Sequence, residues 1–283
     1  MTIERLGIVG GGQMGAGIGE VAAKAGIDVV IVEAAAEIAE KSQGRISASL
    51  EKAVSREKIS RADADATLAR LQFSTEPGEL ADRQFVIEAI VENLALKEDL
   101  FAKLDSIVTD PDAILASNTS SIPIIKLAAQ TNRPDKVIGT HFFNPVPVMA
   151  LLELVQSLKT SEETVERARS LGEQLGKQMI LSKDRAGFIV NYLLVPYIVN
   201  AIKMFEEGFA SAEDIDNGMK LGANHPMGPL ELADFIGLDT MLFVQEVLYA
   251  EFADPFYAAP PLLRRMVDAG LLGRKTGEGF YRY

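Results

Sequence analysis

Hydrophobic and polar positions follow two regimes along this chain. Up to about residue 183, short continuous apolar runs alternate with longer stretches in which apolar residues recur every three or four positions. The runs are RLGIVG (5–10), DVVIVE (28–33), LQFST (71–75), QFVIEAI (84–90), AILASN (113–118), KVIGTH (136–141), MALLELV (149–155) and KQMILS (177–182). Runs this short, apolar on both faces, are what buried parallel strands require. The stretches between them predict helices over 13–25, two helices within 35–70, and helices near 93–108, 122–131 and 161–175. Strands separated by helices predict a mostly parallel sheet with helices on both faces.

Beyond Asp184 the pattern changes. AGFIVNYLLVPYIVNAIKMFEEGF reads as one long apolar helix, with a kink expected at Pro196. SAEDIDNGMKLG follows, opened by a capping box from Ser211 to Asp214. The next segment is again helical, and only the aromatic tail GFYRY suggests a strand. The reading is an α/β domain over 1–184 and an all-α domain over 185–283.

Composition narrows the chemistry. The 283 residues include no cysteine, which excludes disulfides, thiolate metal sites and a cysteine nucleophile. The formal net charge of −12 argues against nucleic acid as a partner, since phosphate neutralisation needs a basic surface. The apolar stretches are shorter than the ~20 residues of a membrane span. The chain enters a strand almost at once, without the pattern of a secretory leader. Together these features point to a cytoplasmic protein.

The first strand runs into GGGQMGAGI. Gly10-x-Gly12-x-x-Gly15 is the dinucleotide spacing: a tight turn at Gly10, close backbone approach to a pyrophosphate at Gly12, and close helix–strand packing at Gly15. The helix that follows, beginning at Gln13 and Met14, offers its N–H groups to phosphate. Glu33 follows Gly15 by 18 residues and ends the second strand, where an acidic residue accepts hydrogen bonds from the ribose hydroxyls. The expected fold is therefore Rossmann-type and the expected cofactor NAD.

Two further stretches lie at carboxyl ends of strands, where ligands of such sheets bind. LASNTSSIPI places Ser120 there; capping of the next helix by Ser120 or Ser121 is the plainer reading of these hydroxyls. GTHFFNPVPVMALLELV places His141 at a strand end, turns at Asn144-Pro145 and brings back Glu153, a carboxylate able to set the tautomer of an imidazole. The other histidine, His225, falls in a Pro/Gly loop and reads as a structural turn residue.

With GGGQMGAGI, EAIVENLALK, ASNTSSI, HFFNPVPVM, HPMGPLELAD and LGRKTGEGFY in order, the whole chain resembles the L-3-hydroxyacyl-CoA dehydrogenases, closest to the bacterial 3-hydroxybutyryl-CoA type. The resemblance implies His141 as catalytic base, Glu153 as its partner, and Ser120 and Asn191 as the groups holding the reacting oxygen and the histidine. It implies Glu92, Lys97, Asn144 and Lys275 as further cofactor contacts. It places the CoA moiety of an acyl-CoA substrate against the helices of 35–70, with Ser49 and Arg56 as contacts. Arg56 stands where the family has lysine, and Glu33 where it often has aspartate. The resemblance also implies a homodimer built on the helical domain. Two rival readings share the scaffold: a gulonate-type hydroxy-acid dehydrogenase, which has no use for a CoA site, and a non-catalytic, crystallin-like dinucleotide-binding protein.

Overall fold

The computed structural model describes residues 2–283, which divide into two compact units meeting between Arg185 and Ala186. The first contains β1 (Arg5–Val9), α1 (Gln13–Lys24), β2 (Asp28–Val32), α2 (Ala36–Ser55), α3 (Arg61–Leu68), β3 (Leu71–Ser74), β4 (Phe85–Glu88) and α4 (Leu94–Ile107). It continues with β5 (Ile114–Ser117), α5 (Ile124–Ala128), β6 (Val137–Phe142), β7 (Leu151–Gln156), α6 (Glu162–Gln174) and β8 (Gln178–Lys183). One sheet has the order β3-β2-β1-β4-β5-β6-β7-β8. Every neighbouring pair is parallel except β6–β7, which is antiparallel. The chain winds outward from β1 through β2 to β3 and then returns to β4 on the other side. The switch point therefore lies between β1 and β4, where such sheets bind ligands.

The short apolar runs are buried as expected. Ile8, Ile31, Phe85, Ile87, Ile114 and Ile138 are each 1% exposed or less and belong to one core. Full burial of such a side chain contributes about 1.5–3 kcal/mol. Side-chain caps start several helices: Ser60 with a full capping box to Asp63 for α3, Asn93 for α4 and Ser161 for α6. α5 is shorter than the 122–131 expected. Its leading N–H groups at Ile124 and Ile125 donate to the carboxylate of Asp184 (2.9 and 2.8 Å), so neither Ser120 nor Ser121 caps it.

The second unit contains α7 (Val190–Glu206), α8 (Ala212–Gly222), α9 (Pro229–Ile236), α10 (Leu238–Phe252) and α11 (Pro261–Asp268) around their own core. α7 begins four residues later than its apolar pattern, because Gly187 and Phe188 take positive φ angles (76° and 47°). It runs on through Pro196. Ser211 caps α8, accepting from the Asp214 N–H at 3.1 Å. The aromatic tail forms isolated bridges, Gly273–Glu278 and Glu278–Arg282, instead of a strand. Two buried carboxylates hold it: Asp234 accepts from the N–H groups of Phe280 and Tyr281, and Asp216 from the Tyr281 hydroxyl. Burial, with the adjacent Asp216 carboxylate, raises the Tyr281 phenol far above its ordinary value.

Candidate active site

At the β1–α1 turn, Gly10 has φ +91°, which favours glycine, and a β-carbon there would meet the Ala89 carbonyl oxygen at 2.9 Å. A β-carbon on Gly15 would lie 1.8 Å from the Gly10 carbonyl oxygen, whereas the space above Gly12 is open. Gly12 is the N-cap of α1, which therefore has no side-chain cap. An uncapped helix N-terminus beneath open space suits a pyrophosphate, so this loop fits a dinucleotide. Gly15→Ala should destabilise the chain by about 1–3 kcal/mol, the usual cost of overpacking, and weaken NADH binding. Denaturant melts and NADH titration of that variant check both.

Glu33 follows β2 and half-buries its side chain against the loop, its Oε1 accepting from the Gly11 N–H at 2.5 Å. On α2, Arg45 approaches from another side, its Nη1 3.5 Å from the Gly11 carbonyl oxygen. Sequence reasoning missed Arg45, twelve residues beyond Glu33, because only the fold of α2 brings it to the loop. Gln13, at the start of α1, donates to Asn144 Oδ1 (3.0 Å), which joins the loop to the turn after β6. A cleft of ≈170 Å³ lies beside this contact, lined by Gln13, Glu20, Arg45, Ser49, Asn144 and Val146 among others. Burial pushes the Glu20 carboxyl above its ordinary value, opposed by a hydrogen bond with Ser49 and by Lys24. Ser49 lies in the last two turns of α2, and the exposed Arg56 follows directly as the residue that ends this helix.

The ends of β4 and β5 carry a buried polar cluster. Lys97, 1% exposed, projects from α4 between Glu88 (2.5 Å) and Glu92 (3.2 Å). Glu92 Oε1 accepts from Thr119 Oγ1 (2.5 Å), the Ser120 N–H (3.0 Å) and Ser121 Oγ (3.1 Å). Burial alone would raise the Glu92 carboxyl. The Lys97 charge and these hydrogen bonds outweigh burial and hold it below the ordinary carboxylate range. Ser120 is thus held by Glu92 at two points, its backbone N–H (3.0 Å) and its hydroxyl (3.4 Å).

His141 and Glu153 are paired residues of the antiparallel β6–β7 ladder. Both are buried, at 6% and 0% exposure, and His141 Nδ1 lies 2.7 Å from Glu153 Oε2. An ionised carboxylate can only accept, so Nδ1 carries the proton and the neutral ring has its lone pair at Nε2. Asn118 steadies this strand end by accepting from the Phe142 N–H (3.0 Å), and the ring of Phe143 leans on the imidazole at 4.5 Å between centroids. The antiparallel register makes base and carboxylate direct cross-strand neighbours.

The first unit therefore gathers Gly10, Gly12, Gln13, Met14, Gly15, Glu33, Glu92, Lys97, Ser120, Asn144, His141 and Glu153 along the carboxyl edge of one sheet. Asn191 and Lys275 belong to the second unit. Asn191 is half-buried in the first turn of α7, and the Lys275 ammonium donates to Asp239 at the start of α10.

Residues 5–185 match the model of the 3-hydroxyacyl-CoA dehydrogenase NAD-binding domain, and residues 187–283 that of the C-terminal domain. A 3-hydroxybutyryl-CoA dehydrogenase of Mycobacterium tuberculosis is 52% identical over 100% of this chain and 99% of its own. The crystal structure of FadB2 from M. tuberculosis superimposes with a TM-score of 0.98 at 52% identity, covering 100% of both chains. That of (S)-3-hydroxybutyryl-CoA dehydrogenase PaaH1 from Ralstonia eutropha gives 0.96 at 51%, covering 100% of this chain and 99% of that one. The chain belongs to the 3-hydroxyacyl-CoA dehydrogenase family.

Proposed function

We propose that this chain is an NAD-dependent dehydrogenase that oxidises (S)-3-hydroxyacyl-CoA, with 3-hydroxybutyryl-CoA as its substrate, and reduces acetoacetyl-CoA in reverse. The observation that carries the mechanism is the buried His141–Glu153 pair on the same sheet edge as the dinucleotide loop. NAD, when bound, supplies the hydride acceptor. His141 takes the substrate hydroxyl proton at Nε2 as general base. Glu153 keeps the ring oriented and stabilises the imidazolium that forms, as the carboxylate of a triad does. In the reverse direction the imidazolium returns that proton to the carbonyl oxygen. Ser120 holds the reacting oxygen, aided by Asn191, and Ser49 with Arg56 receives the CoA moiety along α2. Glu33, Asn144, Glu92, Lys97 and Lys275 contact the cofactor.

Glu153→Gln should lower kcat at least ~tenfold, because an amide neither fixes the Nδ1–H tautomer nor stabilises the imidazolium, with little change in the KM for NADH. Glu153→Asp should restore part of the loss. Unchanged kcat in the glutamine variant would remove Glu153 from the mechanism. The reaction itself is tested by offering NAD with (S)- and (R)-3-hydroxybutyryl-CoA. NADH should form with the S thioester alone, and equal rates with both would overturn the assignment.

The proposal includes a homodimer. The second unit exposes Leu193 (66%) and Phe235 (53%) beside an apolar groove of ≈610 Å³ that also contains Leu194, Met227 and Leu232. Contiguous apolar surface of this kind supports an interface between copies. Among the described residues no helix is long and apolar enough to cross a membrane, and the proposal places the protein in the cytoplasm.

A further inference from the structure

Glu88 has no part in the mechanism above, yet it is fully buried at the end of β4, between Val9 of β1 and Ser117 of β5. Its carboxylate accepts at both oxygens: from the Ile90 N–H (2.7 Å) and the Lys97 ammonium (2.5 Å) at Oε1, and from Ser117 Oγ (2.6 Å) at Oε2. Glu92 likewise accepts from every partner named above. Carboxylates surrounded by donors in this way are ionised. One ammonium, Lys97, thus stands between two carboxylates, and the cluster retains one negative charge.

That charge lies next to the cofactor loop. Gly10 rests on Ala89 and Ile90, and Ile90 is held by Glu88. With Glu33 marking the adenosine side at β2, the crevice of this fold directs the nicotinamide half toward β4 and β5. The oxidised nicotinamide ring is a cation and the reduced ring is neutral. A fixed negative charge in a poorly screened interior therefore distinguishes them.

We infer that Glu88 tunes the cofactor preference of the site: by leaving the Glu88–Lys97–Glu92 cluster one charge negative, it favours NAD⁺ over NADH. Replacing it with glutamine keeps the size and most hydrogen-bonding capacity but neutralises the cluster. Its role is exerted through Lys97 and Glu92, so it is a positioning and charge-setting residue, not a catalytic one. The inference rests on the dehydrogenase reading, which fixes the cofactor.

The test is equilibrium binding to the purified full-length chain, with NADH followed by its fluorescence and NAD⁺ by displacement. In Glu88→Gln the ratio Kd(NAD⁺)/Kd(NADH) should rise on the order of tenfold, the effect of a unit charge at an effective dielectric of ~20. Ser117→Ala removes a hydrogen bond to the same carboxylate without altering its charge, and should leave the ratio within about twofold of wild type. If Glu88→Gln fails to fold, Lys97→Gln carries the test in the opposite sense, because loss of the ammonium should lower the ratio. An unchanged ratio in Glu88→Gln, or equal weakening of both forms, would overturn the inference while leaving the dehydrogenase reading intact. A wild-type chain that binds neither form would overturn both.

Discussion

His141→Gln lowers kcat for acetoacetyl-CoA reduction at least ~100-fold, the scale on which a positioned general acid–base contributes. The expectation rests on geometry. The ring is held by a carboxylate 2.7 Å from Nδ1, on a strand end of the sheet edge that also carries the glycine loop. Glutamine can fill part of the space but cannot relay a proton at neutral pH. NADH affinity should change little, because the imidazole acts on the substrate oxygen. His225→Gln is the matched control. His225 belongs to the second unit, where its ring meets the Tyr197 hydroxyl at 3.2 Å, so its loss should alter stability more than turnover. Near-normal turnover in His141→Gln would show that the proton is handled elsewhere.

The wild-type chain prefers NADH to NADPH on the order of a hundredfold in kcat/KM. In NADP the ribose 2′-hydroxyl is replaced by a phosphate, which would face the Glu33 carboxylate. Two anions about 4 Å apart at an effective dielectric of ~20 repel by a few kcal/mol, and each 1.36 kcal/mol is tenfold in rate. Glu33 is not free to swing aside without cost, because its Oε1 is bonded to the Gly11 N–H. The residues after it, Ala34 to Ala36 and then Glu37, add no positive charge. Arg45 is the opposing feature, since an arginine near this point accommodates the extra phosphate in NADP enzymes. Its guanidinium, however, is directed at the Gly11 carbonyl oxygen. Glu33→Ser should therefore narrow the preference to within about tenfold, with Arg45 then available to the phosphate. Steady-state kinetics with NADH and NADPH on one acetoacetyl-CoA stock measure this. Equal values in the wild type would mean that Arg45 outweighs Glu33.

The order of strands and helices was legible because buried parallel strands need apolar faces on both sides, and the sequence supplies eight such runs. The glycine loop was legible because few residues satisfy a positive φ at Gly10 and a backbone approach at Gly15. His141 and Glu153 could be proposed together because the Asn144-Pro145 turn returns the chain on itself, and the antiparallel register then makes them neighbours. Other features depend on contacts between distant segments. Glu88 looks like one more strand residue in QFVIEAI until Lys97 and Ser117 fold against it. Asp184 caps a helix sixty residues earlier in the chain, which left Ser120 and Ser121 as apparent caps. The late start of α7 depends on positive φ angles at Gly187 and Phe188, and nothing in an apolar pattern reports these. The tail is aromatic like a strand, but Asp216 and Asp234 hold it as a bridged turn.

The most direct measurement compares kcat/KM for NADH-dependent reduction of acetoacetyl-CoA with that for free acetoacetate. A 3-hydroxyacyl-CoA dehydrogenase uses binding energy from the remote CoA moiety to position the reacting carbonyl, and positioning of this kind contributes several kcal/mol. The thioester should therefore be turned over at least ~1,000-fold more efficiently than the free acid. Equal efficiency, or reduction of the free acid alone, would contradict the account and point to a dehydrogenase of free hydroxy acids.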